Sequence, residues 1–115
     1  MSVTIWHNPR CSKSRATLAI LEDKGINFNV INYLETSPSA AEIDKVLASL
    51  NLEPRDLMRK GEGPYKENRL DNLDLSRNQL IEAMVKDPIL IERPIVIKGE
   101  KAAIGRPPES VLEIL

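Results

Sequence analysis

The apolar residues of this chain follow two spacings, one typical of strands and one typical of helices. Val3–Trp6 is a short β-prone run, and residues 27–33 alternate between apolar and polar positions. The span between them has apolar residues at helical spacing, begins near Ser12 or Ser14 as N-cap, and stops at Gly25. Strand, helix and strand in so short a span form a βαβ unit, whose two strands are expected to be parallel.

The middle of the chain, from about residue 38 to residue 88, predicts helices and no strand. Ser39 followed by Glu42 forms a capping box at the start of an amphipathic helix. Pro54 opens a shorter helix, and Ser76 caps another that stops before the next proline. This stretch reads as a helical insertion.

The end of the chain returns to β structure. Residues 95–97 and 102–104 read as a hairpin around Gly99-Glu100, where glycine in the first turn position suits a type II′ bend. Residues 109–115 read as a last helix. The order βαβ, helices, ββα predicts an α/β fold, a thioredoxin-like four-stranded mixed sheet with an inserted helical region, in one domain over residues 1–115.

Composition narrows the class of partner. The 115 residues carry a net charge of −1, which argues against nucleic acid or a membrane surface as the main partner. No apolar run approaches the roughly 20 residues that span a bilayer. The chain has one cysteine and no recognisable export signal at its start, so we expect a reducing, cytoplasmic setting.

That single cysteine, Cys11, lies in a polar, basic loop between the first strand and the first helix. A thiol at a helix start is close to the positive end of the helix dipole and to unpaired N–H groups, which favour the thiolate. Arg10, Lys13 and Arg15 add positive charge nearby. The alternative is a buried, unreactive thiol, and these neighbours make it the weaker interpretation.

Two arginines are expected to face each other across the terminal hairpin. If residues 99 and 100 form the loop, the residue numbers of each cross-strand pair add up to 199. Arg93 is then expected opposite Arg106. Like charges opposite each other destabilise a ribbon, and the pair is less puzzling if an oxyanion binds between the two guanidinium groups. The alternative, two exposed arginines at the base of the hairpin, stays open on this argument alone.

Two familiar thiol sites do not fit the sequence. A phosphatase-type loop needs arginine six positions after the cysteine, and position 17 is threonine. A dithiol oxidoreductase needs Cys-x-x-Cys, and position 14 is serine.

Four segments carry a recognisable pattern: residues 7–15, 57–60, 91–96 and 105–109. In order and spacing they resemble the glutaredoxin-dependent arsenate reductase (ArsC) family, and the resemblance covers nearly the whole chain. The basic residues around the cysteine and the chain's end at Leu115 resemble the short chromosomal branch of that family.

The resemblance implies reduction of arsenate to arsenite, with glutathione as co-substrate and glutaredoxin as partner. It implies no metal and no tightly bound cofactor. Carried over by motif, the site residues are Cys11 as nucleophile; Arg59, Arg93 and Arg106 as ligands of arsenate or a similar oxyanion; His7, Ser14 and Arg15 as residues that tune the thiolate; and Pro94 as a cis proline.

Two other functions are compatible with this fold. A thiol oxidoreductase acting on glutathionylated proteins would not need the arginines. A redox regulator that binds RNA polymerase would carry Cys-x-x-Cys, which Ser14 excludes here. His7 as an ordinary loop histidine, and Arg59 as an exposed arginine at a helix end, are the plain alternatives for those two residues.

Overall fold

A computed structural model describes residues 2–115. No helix within those residues is long and apolar enough to cross a membrane. The strands are β1 (Val3–Trp6), β2 (Phe28–Ile31), β3 (Ile95–Lys98) and β4 (Lys101–Ile104). The α-helices are α1 (Ser12–Asp23), α2 (Ala40–Leu50), α3 (Gly63–Glu67) and α4 (Arg77–Lys86); 3₁₀ helices cover Pro54–Leu57, Pro88–Leu90 and Pro108–Ile114.

The chain forms two compact units. One, the sheet unit, comprises the described residues through Thr36 together with Arg93–Leu115. The other, the helical unit, is Ser37–Glu92 and corresponds to the helical stretch expected over residues 38–88. The expectation of a single domain stays a prediction.

The sheet unit contains a four-stranded mixed sheet in the order β2-β1-β3-β4. The strand β1 pairs in parallel with β2 and antiparallel with β3, and β3 pairs antiparallel with β4. The predicted mixed sheet is therefore confirmed. Strand β2 is shorter than expected, because only residues 28–31 of the predicted 27–33 pair with β1.

The terminal hairpin has the predicted register. Ile95 pairs with Ile104 and Val96 with Ala103. The residue numbers of each pair add up to 199, as expected for a turn at residues 99 and 100. Gly99 has φ of +60°, a conformation that glycine adopts without the penalty a Cβ would bring. This geometry agrees with glycine in the first position of a type II′ turn.

The start of α1 differs from the prediction of a serine cap. Cys11 itself is the N-cap residue, with extended φ and ψ of −94° and 123°, and no side chain caps the helix. Ser14 cannot serve as the cap because its hydroxyl is buried and bonded to His7 and Asn8. The helix ends before Gly25, which has φ of +65°.

A buried cluster joins the elements of the sheet unit. The helix α1 and the terminal 3₁₀ helix pack their apolar residues against the sheet, which buries those residues and stabilises the unit. The last helix is thus a 3₁₀ helix where a final α-helix was expected. The buried members of the cluster are Val3, Ile5, Leu21, Val96 and Val111.

The helical unit contains both predicted capping structures. Ser39 and Glu42 form a reciprocal capping box at the start of α2, and Ser76 and Gln79 form another at the start of α4. The two helices contact each other, and their apolar faces are buried. The 3₁₀ turn at Pro88–Leu90, near the end of the unit, was not predicted.

Candidate active site

The loop between β1 and α1 places Cys11 at the carboxyl end of the central strand. The backbone N–H of His7 donates to the carbonyl of Ile31 at 2.8 Å, which prolongs the pairing of β1 with β2. Asn8 then organises the turn: its carbonyl accepts from Cys11 N–H at 3.0 Å, and its side-chain oxygen accepts from Arg10 N–H at 3.0 Å. Sequence reasoning did not single out Asn8.

The sulfur of Cys11 lies at the amino end of α1. Burial raises the pKa of the thiol, but the backbone N–H groups of Ser14 and Lys13 and the side chain of Arg93 bond to the sulfur and favour its anion. The net effect is that the pKa of Cys11 lies below its ordinary value. The thiolate expected from the loop sequence is therefore supported by groups that contact the sulfur directly.

Arg93 and Arg106 both reach this sulfur. Nη2 of Arg106 lies 3.8 Å from Sγ of Cys11, and the side chain of Arg93 bonds to it as well. The two arginines also meet each other, since Nε of Arg106 donates to the carbonyl of Arg93 at 2.9 Å. Each precedes a cis peptide bond, to Pro94 as the resemblance implies and to Pro107, which was not anticipated.

Gly105 permits the close approach of these elements. Its N–H donates to the carbonyl of Pro94 at 2.9 Å. A Cβ on Gly105 would collide with Oγ1 of Thr17 and would lie 2.7 Å from Cγ of Pro94. Thr17 is buried on α1, so the glycine keeps the backbone before Arg106 against the helix that begins at Cys11. In the sequence, the only indication that Gly105 belongs to the site is its position next to Arg106.

A buried polar network stabilises the loop between β1 and α1. Nδ1 of His7 and Oγ of Ser14 share a hydrogen bond of 2.6 Å, and Ser14 Oγ also accepts from Asn8 N–H at 3.0 Å. All three residues are buried. Burial, and then the charge of Arg15, lower the pKa of His7, so that the imidazole is neutral at pH 7.

The remaining basic residues of the loop have other positions. Arg15 is exposed, and its Nη1 donates to the carbonyl of Pro9 at 2.9 Å, which ties the loop to the first turn of α1. The side chain of Lys13 is exposed, and its backbone N–H donates to the sulfur of Cys11.

Arg59 belongs to the helical unit. Its Nε donates to Glu62 and its Nη1 to Glu92, both at 3.1 Å. Of the residues expected at the site, the sheet unit thus brings together Cys11, Arg93 and Arg106, while the role of Arg59 stays a prediction. Sequence reasoning did not identify the two glutamates.

The chain is similar to known proteins over nearly its whole length. The ArsC family model matches residues 6–114. An arsenate reductase of Haemophilus influenzae is 53% identical over the full length of both chains. An arsenate reductase of Escherichia coli is 44% identical over 99% of this chain and 81% of its own. The structure of an arsenate reductase from Vibrio cholerae superposes with a TM-score of 0.96 at 55% identity, covering 100% of this chain and 98% of the other.

Proposed function

This chain belongs to the ArsC family, and from that premise we propose that it reduces arsenate to arsenite through Cys11. The observation that carries the proposal is the meeting of a low-pKa thiol with two arginines at the start of α1. A guanidinium beside a nucleophile can hold a tetrahedral oxyanion and stabilise the charge that develops as the sulfur attacks. The relatives named as arsenate reductases supply the identity of the oxyanion.

The first step is attack of the Cys11 thiolate on arsenic(V). The S–As bond forms as an As–O bond breaks, and the departing oxygen takes a proton and leaves as water. Arg93 and Arg106 bind the remaining oxygens. Arg59 is the third anion ligand that the family motif assigns, and we retain it on that basis.

The second step is the reduction, for which glutathione is the proposed electron donor. Its thiolate attacks Sγ of Cys11, and the electron pair of the S–As bond remains on arsenic, which leaves as arsenite. Cys11 is then joined to glutathione in a mixed disulfide. Because the chain has no second cysteine, a thiol from outside must release Cys11, and glutaredoxin is the proposed partner.

Three residues of the loop act on the thiol rather than on the substrate. Ser14 and His7 hold the loop through their buried hydrogen bond, and Arg15 fastens it to Pro9. In this proposal they keep the backbone N–H groups of α1 aimed at the sulfur, and so keep the thiolate available.

A coupled assay tests the function. The protein is mixed with arsenate, glutathione, glutaredoxin, glutathione reductase and NADPH, and arsenite is measured directly beside NADPH oxidation. Arsenite should form with the natural protein and not with Cys11→Ser. NADPH oxidation on a glutathionylated protein substrate, with no arsenite from arsenate, would instead identify a general thiol oxidoreductase.

A further inference from the structure

Backbone hydrogen bonds to a neighbouring segment hold the segment that carries Arg59 in place. Residues 57–59 run antiparallel to residues 90–92, and backbone hydrogen bonds of 2.7 and 2.8 Å join the two segments, one at Arg59 and one at Glu92. A turn then brings Glu62 back, with its N–H donating to the carbonyl of Arg59 at 3.2 Å. Both glutamates therefore occupy fixed positions beside the arginine.

Their carboxylates bind two different nitrogens of the same guanidinium. Glu62 accepts from Nε and Glu92 from Nη1, each at 3.1 Å, and all three side chains are about a quarter exposed (26% for Arg59 and 25% for each glutamate). Two separate anchors fix both the direction and the rotation of a planar guanidinium. Arg59 is thus oriented before any anion arrives.

The arginine keeps donors for a further anion. Within residues 2–115, both N–H groups of Nη2 donate to no other group. An anion bound there would lie within about 8 Å of both carboxylates, which is the Debye length at physiological salt, so their charges are not fully screened from it. Both carboxylates have the same sign of charge as the anion and lie 3.1 Å from the guanidinium of Arg59, so they oppose the anion that Arg59 attracts.

We propose that Glu62 and Glu92 are positioning residues that orient Arg59 and also weaken oxyanion binding, most strongly for divalent anions. The inference rests on the proposed function, because it takes Arg59 as an anion ligand. Repulsion is proportional to the charge of the ligand, so the pair shifts the preference of the site toward monovalent tetrahedral anions. It also favours departure of a bound anion.

Replacing both carboxylates with amides separates orientation from charge. In the variant Glu62→Gln/Glu92→Gln each side chain keeps an oxygen that can accept from Arg59, while both negative charges are removed. Calorimetric titration with two tetrahedral probes, divalent sulfate and monovalent perchlorate, measures the effect. Sulfate should bind roughly tenfold more tightly than to the natural protein, and perchlorate about threefold, because the smaller charge halves the change in free energy.

The variant Glu67→Gln/Glu82→Gln is the matched control. It removes two charges from exposed glutamates of the same unit and should change both affinities little. A purely structural role of Glu62 and Glu92 would lower the denaturation midpoint without tightening sulfate binding. Unchanged or weaker sulfate binding in Glu62→Gln/Glu92→Gln, with the natural midpoint retained, overturns the inference.

Arg59→Ala distinguishes the possible failures. If this variant loses sulfate affinity while the amide variant gains none, Arg59 is a ligand and only the inference about the glutamates is wrong. If Arg59→Ala binds sulfate as the natural protein does, the ligand assignment itself fails and the inference fails with it. Failure of the arsenate reductase proposal would appear separately, as absence of arsenite from the natural protein in the coupled assay.

Discussion

Arg106 donates from Nε to the carbonyl oxygen of Arg93 at 2.9 Å, and the same guanidinium reaches Cys11 with Nη2 at 3.8 Å. Two arginines just outside the terminal hairpin are therefore joined through the backbone of one of them. This bond directs the outer nitrogens of Arg106 toward the sulfur, where an oxyanion would be attacked.

The first prediction concerns the guanidinium of Arg106, which bonds to the Arg93 carbonyl and reaches Cys11. Arg106→Lys keeps the charge but has no second nitrogen, so it cannot donate to the Arg93 carbonyl from one end of a planar group and reach the anion from the other. We expect the arsenate KM to rise by about tenfold to a hundredfold, which corresponds to about 1.5–3 kcal/mol for hydrogen bonds to a charged group. Steady-state kinetics measure it, with Arg10→Lys in the exposed loop as a control that should retain the natural KM.

The second prediction concerns the ionisation of Cys11. The pKa of the thiol is lowered by the N–H groups of Ser14 and Lys13 and by Arg93, against the effect of burial. Alkylation by iodoacetamide, followed against pH, should show a midpoint below that of an ordinary thiol, and Arg93→Ala should raise it. Lys13→Ala keeps the backbone N–H and should leave the midpoint in place. Equal midpoints for Arg93→Ala and the natural protein would remove Arg93 from this role.

The third prediction concerns the buried hydroxyl of Ser14. Ser14→Ala removes the partner of both His7 Nδ1 and the Asn8 N–H. Leaving buried polar groups unsatisfied costs about 1–3 kcal/mol, so the free energy of unfolding should fall by that amount in a urea titration. Ser12→Ala, at an exposed position of the same helix turn, serves as the control. Equal losses in the two variants would contradict the network.

The fourth prediction concerns pH and the folded state. Burial and Arg15 lower the pKa of His7 in the folded protein, so the unfolded chain binds a proton at a higher pH than the folded one. The His7 contribution to stability is therefore complete above the unfolded pKa of about 6.5 and is lost as pH falls from there through the folded pKa. His7→Gln should flatten that part of the curve of unfolding free energy against pH. An unaltered curve would show that another group causes the dependence.

The fifth prediction concerns Gly105. An alanine there would press on Thr17 and Pro94, and overpacking of this kind costs about 1–3 kcal/mol. Gly61→Ala is the matched control, because a Cβ at Gly61 meets nothing within 4 Å. Thermal unfolding should show a clear decrease in Tm for Gly105→Ala and little change for Gly61→Ala. A Tm that falls equally in both would leave the close approach without an energetic consequence.

Local signals in the sequence predicted most of the fold. Capping boxes at Ser39 and Ser76 involve residues three apart, and the register of the hairpin follows from the position of Gly99. Such features depend on short-range geometry, which is visible in the chain itself. The serine cap of α1 was wrong, because a tertiary bond to His7, seven residues earlier, took the hydroxyl of Ser14.

The candidate site was only partly visible for the same reason. Cys11 stood out by composition and Arg93 by hairpin register, both of which are local properties. The bond between Arg59 and Glu92 joins residues 33 positions apart, and no spacing rule predicts it. The contact of Gly105 with Thr17 likewise depends on how a helix packs against the end of β4.

A single-turnover experiment tests whether the Cys11 thiolate attacks arsenate. The protein is mixed with arsenate and glutathione, without glutaredoxin, and both arsenite and the mass of the protein are measured. We expect about one arsenite per protein molecule and one glutathione joined to Cys11, with neither product in Cys11→Ser. Arsenite formed equally well by Cys11→Ser, or no arsenite from the natural protein, would contradict attack of this thiolate on arsenate.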